Sequence, residues 1–150
     1  MSDLPTLKLQ LITVVGEKMN EQVYEVVLPT AAGEISVFPE HENLVTLAAP
    51  GIIAVRRKKV DPDSALEYFA TSGGIIEIDA SRVRILVDEA DSGDDIIEAE
   101  SQKALERAMK MRDNASSQVE LENAQQLIDR QQVRLKVAGL RRHQKPAQYR

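Results

Sequence analysis

The chain of 150 residues has no cysteine, only two histidines and only five aromatic residues. Without cysteine there is no disulfide scaffold, thiolate metal site or cysteine nucleophile, and the chain suits a reducing compartment. His41 and His143 are too few for a multi-histidine metal centre or a histidine-based catalytic triad. Positive charge is also in deficit, with 19 Lys and Arg against 24 Asp and Glu for a net −5. Nucleic-acid binding starts from a basic face, so an acidic chain is a poor generic ligand for it. The 24 acids have no second group placed by motif to act with them, which leaves a carboxylate hydrolase without its partner residue. Long apolar runs are missing too. The longest uncharged stretch, residues 43–55, holds Pro50 and Gly51 and falls well short of the roughly 20 residues that span a bilayer. The opening MSDLPTLKLQLITVV has no basic region ahead of its apolar residues, so no signal peptide is expected. These absences argue against an independent enzyme, and against direct membrane insertion or a metal or other cofactor.

What is present divides into two parts. From Thr6 to about Asp88 the apolar residues recur with period two or in short runs, punctuated by turn residues. Leu7, Leu9, Leu11 and Thr13 alternate with Lys8, Gln10 and Ile12, which places one set inward and the other outward. Further strands are expected at 22–28, 34–38, 44–47, 51–57, 65–70, 75–78 and 83–88, with breaks at Lys18-Met19-Asn20, 29–33, Pro50-Gly51, Asp61-Pro62-Asp63, Ser72-Gly73-Gly74 and Asp79-Ala80-Ser81. About eight to ten short strands at this spacing indicate an antiparallel β-sandwich or flattened barrel.

After Asp91 the punctuation changes. No proline occurs until Pro146, and Asp95 with Glu98 has the spacing of an N-cap and its reciprocal acid, opening a helix to about Met111. Asp113-Asn114-Ala115-Ser116 reads as a break. Ser117 with Glu120 repeats the capping spacing and opens a second helix expected to reach Ala138, with Gly139 as a C-terminal cap. Leu121, Ala124, Ile128, Gln131, Leu135 and Ala138 form a narrow seam suited to one partner helix. The expected class is therefore α+β, a sandwich over 1–91 followed by an antiparallel two-helix hairpin over 92–150.

Charge follows the same boundary. Residues 1–92 hold 8 basic against 15 acidic residues, and residues 93–150 hold 11 against 9. Arg130, Arg134, Lys136, Arg141, Arg142, Lys145 and Arg150 lie in a final stretch with no acid. These are either solvated positions on an amphipathic helix or an electrostatic probe for an acidic partner surface. Glu34, beside a turn that Gly33 can close at positive φ, is either solvated or a contact for a basic partner. His41 lies between Glu40 and Glu42, but adjacent residues on an extended segment point apart, so a histidine packed at an interface is favoured over a metal site. The Asp61-Pro62-Asp63-Ser64 turn lacks the further oxygen ligands of a calcium loop.

The stretch LPTAAGEISVFPEHENLVTLAAPG, residues 28–51, resembles the N-terminal domain of the epsilon subunit of F-type ATP synthases, through Pro29, Gly33, Glu34, Val37, Pro39, His41, Leu44, Thr46, Pro50 and Gly51. SGGIIEI at 72–78 and VRILVDEA at 83–90 resemble that family's Gly-Gly strand and its last strand before the helices. The resemblance implies a rotor subunit that couples proton translocation to ATP synthesis at the cytoplasmic face of a bacterial plasma membrane. In it the sandwich binds the gamma subunit and rests on the c-ring, and the hairpin can regulate hydrolysis. Residue by residue, it places Glu34 towards the c-ring and His41 on the gamma side, and sends Arg130, Arg134, Lys136, Arg141 and Arg142 along gamma towards acidic segments of the alpha and beta subunits. Ser36 stands where the family usually has Gly, and Asn43 where it often has Pro. Some members bind ATP through an Ile or Leu, Asp, two residues, Arg, Ala motif on the first helix. Here the Asp position is Ile97 and the Arg position is Glu100, so ATP binding is not expected, because a phosphate would meet a carboxylate where it needs a cation. A different class stays in view, a stand-alone β-sandwich adaptor that displays a helical hairpin to a partner helix.

Overall fold

A computed structural model describes residues 4–144. Ten strands run in chain order: β1 Leu7–Thr13, β2 Gly16–Val23, β3 Glu25–Thr30, β4 Gly33–Val37, β5 Leu44–Ala48, β6 Gly51–Arg56, β7 Glu67–Thr71, β8 Gly74–Ile78, β9 Arg82–Val87 and β10 Ala90–Ser92. Two helices follow, α1 Glu98–Asp113 and α2 Gln118–Gln144. The strands form one folded-over sheet of order β10-β7-β6-β3-β5-β8-β9-β1-β2, with β4 on β3. β3 and β5 share the single pair Thr30↔Ala48. This slender link is the corner at which the sheet turns from one layer (β10, β7, β6, β3, β4) to the other (β5, β8, β9, β1, β2).

Alternation supplies the core between the layers. Leu7, Leu9 and Leu11 of β1 point inward with Val83, Ile85 and Val87 of β9 and Ile76 and Ile78 of β8, against Val26, Leu28, Ile53, Val55 and Phe69 from the other layer. Branched aliphatics suit such a pleated, half-buried surface. β6 departs from alternation because both of its faces are covered: Ile53 and Val55 face the core, while Ala54 is also buried and Ile52 packs beneath α2. A second cluster docks the hairpin, with Ala70, Ile52 and Tyr68 under Val133, Val137, Ala138 and Ile96. A third joins the helices through Leu105 and Ala108 of α1 and Ile128 of α2, with Met109, Leu127 and Leu135 around them.

The sandwich followed by two helices agrees with the expected class, but several local expectations need correction. Lys18-Met19-Asn20 is not a turn; it lies inside β2, with Met19 in the core, and the connection is the apolar Val14-Val15. The expected strand at 22–28 is two strands, broken at Tyr24. The sheet is not wholly antiparallel, because β1 pairs with β9 in parallel, from Lys8↔Arg82 to Ile12↔Leu86. Pro29 extends β3 opposite Glu34 rather than ending it, and its carbonyl accepts from the Ala49 N–H at 2.9 Å. Asp95 does not cap α1. Its N–H donates to Ser92 in a turn, Ile96 is drawn under α2, and the helix starts at Glu98 without a side-chain cap. Gly139 lies within α2, which continues to Gln144, the last described residue. Ser117 does cap α2, its hydroxyl accepting from the Glu120 N–H at 3.1 Å. The reciprocal contact is shifted by one residue, so that the Glu120 carboxylate accepts from the N–H and hydroxyl of Ser116. Those bonds hold the Glu120 carboxyl below its usual range.

Candidate functional site

Three surfaces stand out, and the second and third carry the residues singled out from the sequence. The first is the outer face of the β5-β8-β9-β1 layer. The ladder registers Leu47↔Ile75, Ile75↔Leu86 and Ile12↔Leu86 align four large aliphatic side chains in one row across four strands. All four are outward positions, and Leu47 and Ile75 are 63% and 45% exposed. The neighbouring row, Val45, Glu77, Arg84 and Gln10, is mostly polar. The opposite outer face, on β6 and β7, is covered by α2, so the molecule has one covered and one bare sheet face. The sequence reading missed this row. Its signal, an apolar residue at an outward position in each of four strands, needs the strand register before it becomes a patch.

The second surface is the pair of sandwich ends. Glu34 is exposed on β4 next to the Ala31-Ala32 turn, which Gly33 closes at φ 120°. Thr30 donates to the Gly33 carbonyl at 2.5 Å and accepts from the Ala32 N–H. At the same end stand Val14 and Val15, 78% and 82% exposed. His41 is at the other end: β5 leads from Leu44, close to His41, to Ala48, which pairs with Thr30. Its Nδ1 is 2.8 Å from the Glu42 carbonyl oxygen. The preceding Glu40 adopts φ 69°, the one left-handed non-glycine among the described residues, and its N–H donates to Ala80 at 2.8 Å. Glu34 and His41 are therefore separated by the length of β5. Among the described residues no group of three His, Asp or Glu side chains is placed to hold a metal ion, and no helix is long and apolar enough to cross a membrane.

The third surface is the basic side of α2. Arg130 reaches Glu89 at 2.5 Å, Arg134 pairs with Asp91, Arg141 meets Asp94 at 2.9 Å, and Arg142 pairs with Glu98. Every acid in this set lies in the short segment from the end of β9 to the start of α1. Lys136 is exposed and has no carboxylate partner among the described residues. Lys145 and Arg150 lie outside them. Near the end of α2 the Gln144 amide donates to the Leu66 carbonyl at 2.8 Å. Tyr68, beneath α2, has its hydroxyl pKa pushed up by burial. Gly93 permits the close approach: a Cβ there would lie 2.4 Å from the Arg141 Cβ.

The apolar seam of α2 is divided between two partners. Ile128 and Leu135 pack on α1, whereas Ala138 turns to the sandwich and Leu121 stays 39% exposed. Between the helices a cleft of about 340 Å³ is lined by Lys103, Arg107, Arg130 and Arg134, with Glu100 among them. Ile97 precedes α1 and is exposed. The cleft is basic, but Arg130 and Arg134 are already engaged by Glu89 and Asp91.

Residues 6–93 match the family model described as ATP synthase, Delta/Epsilon chain, beta-sandwich domain. The chain is 33% identical over 138 residues to the ATP synthase epsilon chain of Herpetosiphon aurantiacus, covering 91% of this chain and 97% of that one. It is 32% identical over 134 residues to ATP synthase epsilon chain 2 of Syntrophotalea carbinolica, covering 89% and 94% respectively. Among solved structures it resembles a chain of the Euglena gracilis mitochondrial ATP synthase, with TM-score 0.76, 22% identity and coverage of 92% of this chain and 84% of that chain. A chain of the Tetrahymena thermophila mitochondrial ATP synthase central stalk and c-ring gives TM-score 0.57 at 14% identity, covering 91% and 99%. At those identities the two structures establish the fold.

Proposed function

The chain belongs to the epsilon-chain family of F-type ATP synthases, and from that membership we propose that it is a non-catalytic subunit of the central stalk, coupling proton translocation to ATP synthesis and restraining ATP hydrolysis through its hairpin. The observation that carries this reading is the unequal treatment of the two outer sheet faces. One is covered by α2, and the other leaves Leu47 and Ile75 exposed in a row with the half-buried Leu86 and Ile12. A contiguous apolar patch on an otherwise acidic sandwich is the surface of a chain that works inside a complex. We assign that face to the gamma subunit, with His41 at its far end, and the end bearing Glu34 to the polar loops of the c-ring. Contact with the alpha and beta subunits falls to the arginines of α2. The protein would then sit at the cytoplasmic face of a bacterial plasma membrane as a peripheral component, held there by its partners.

The test is capture by purified gamma subunit. Leu47→Lys with Ile75→Glu puts an opposed charge pair into the row without touching the core, so the melting temperature stays close to that of the native chain while gamma binding falls at least tenfold. Native-like binding by this variant overturns the assignment. The cleft between the helices is not proposed as a nucleotide site, because Glu100 lines it and its α2 arginines are engaged. Nor does the helical seam call for a foreign partner helix, since Ile128 and Leu135 already pack against α1.

A further inference from the structure

The ion pairs of α2 form a set with one direction. Four arginines, Arg130, Arg134, Arg141 and Arg142, each cross 41 to 47 residues of chain to reach Glu89, Asp91, Asp94 and Glu98. Together these acids make a strip along the segment that joins sandwich to hairpin. The apolar contact beside it is confined to one cluster of seven side chains, Val133, Val137, Ala138 and Ile96 on Ile52, Tyr68 and Ala70. Arg134 and Asp91 are the least exposed pair, with side chains 19% and 24% accessible, and Arg134 is also 3.5 Å from the Ser101 hydroxyl.

We propose that Glu89, Asp91, Asp94 and Glu98 act as an internal competitor for the α2 arginines, a latch that holds the hairpin on the sandwich and that an external acidic surface must displace before the hairpin can rise. The second half of this statement rests on the placement given above; the first half concerns the isolated chain alone. An arginine carried away on the risen hairpin no longer reaches its internal acid, so the closed pairs lower the apparent affinity of the hairpin for its partner in proportion to the fraction of time the hairpin is open. Partly exposed pairs are individually weak, but four acting on one rigid helix bias the same equilibrium.

The test begins with the native full chain, reading amide exchange of α2 between 50 mM and 1 M NaCl. Screening weakens the pairs, whereas salt strengthens apolar burial, so the two contributions move the opening in opposite directions. The latch requires α2 opening to increase about tenfold with salt while exchange in β1, β8 and β9 stays constant. Asp91→Asn should raise opening at low salt and flatten the salt response, and Asp91→Arg with Arg134→Asp should return opening towards the native value. Salt-independent exchange together with native-like exchange in Asp91→Asn overturns the latch. In the assembled synthase, Asp91→Asn should deepen the restraint on ATP hydrolysis. If the isolated chain behaves as required but hydrolysis is unmoved, the latch stands and the proposed brake fails.

Discussion

Substituting Gly93 by alanine should lever the hairpin off the sandwich without changing any charge. The added Cβ would lie 2.4 Å from the Arg141 Cβ and 2.8 Å from its Cγ. Carbon atoms in contact prefer about 3.5–4.0 Å, so α2 must withdraw by about 1 Å or more near its C-terminal end. The Arg141 Cβ is fixed to the helix backbone and cannot turn aside, so the whole element has to move. Overpacking of this kind costs about 1–3 kcal/mol, equivalent to a shift of about five- to 150-fold in the closed-to-open ratio. Opposing it are the modest apolar patch under Val133, Val137 and Ala138 and pairs worth about 0–1 kcal/mol each. Gly93 is not among the positive-φ glycines, so alanine meets no backbone penalty there. Its own effect on the unfolded chain is a small stabilisation of about 0.4–1 kcal/mol, opposite in sign. Amide exchange of the purified variant should therefore accelerate across residues 133–144 and in β6 and β7 beneath them, with β1, β8 and β9 as protected as before. Native-like protection over 133–144 would refute the close-approach argument.

Other outcomes are open to measurement. Removing the chain after Asp91 should leave gamma binding intact and raise ATP hydrolysis by the assembled synthase; unchanged hydrolysis would show that the hairpin is no brake. Glu40→Gly should stabilise the sandwich by about 1 kcal/mol in urea unfolding, because φ 69° strains a side-chain-bearing residue. No change or a loss would mean that the Glu40 side chain repays its backbone. Calorimetric titration of the isolated chain with ATP should show no saturable binding at millimolar concentration. For Glu120, whose carboxyl pKa is lowered by the Ser116 bonds, the contribution to α2 is present above the ordinary value of 4.5 and lost as pH falls towards the lower folded value. Protection of the first turn of α2 should thus fall on acidification, and Glu120→Ala should remove that dependence.

The elements that could be read from the sequence were those with local causes. Period-two alternation in β1 and the Ser117 cap of α2 depend on residues within a few positions of one another. The failures share the opposite cause. Val14-Val15 is a turn that looks like a strand, because the hairpin is set by the pairing of β1 with β2 rather than by turn chemistry. Asp95 loses the helix start to Ile96, which is drawn beneath α2 by packing with residues some forty positions away. Gly139 stays helical because contacts on both sides carry α2 past it, from Ala138 on the sandwich to Gln144 on Leu66. The parallel pairing of β1 with β9 joins the two ends of the sandwich segment, and no period within either strand encodes it.

The basic end of α2 shows most clearly how a local reading and a folded one can differ. In the sequence, Arg130, Arg134, Arg141 and Arg142 stand in an acid-free stretch and suggest an outward probe. In the fold each is matched by an acid from the segment between β9 and α1. Neither description cancels the other. A basic helix that found no acid inside its own molecule would be available to an acidic partner at all times, and a brake built from it would always be engaged. One whose internal pairs were deeply buried could not be released by a partner, because breaking them would leave uncompensated buried charges. Pairs with side chains 19% to 61% exposed lie between these limits. They are strong enough together to favour the docked hairpin and weak enough singly to be exchanged, one arginine at a time, for carboxylates on another surface. On this view the acidic segment belongs to the regulatory device as much as the arginines do, and substitutions at Glu89 or Asp91 should alter inhibition with every arginine of α2 left in place.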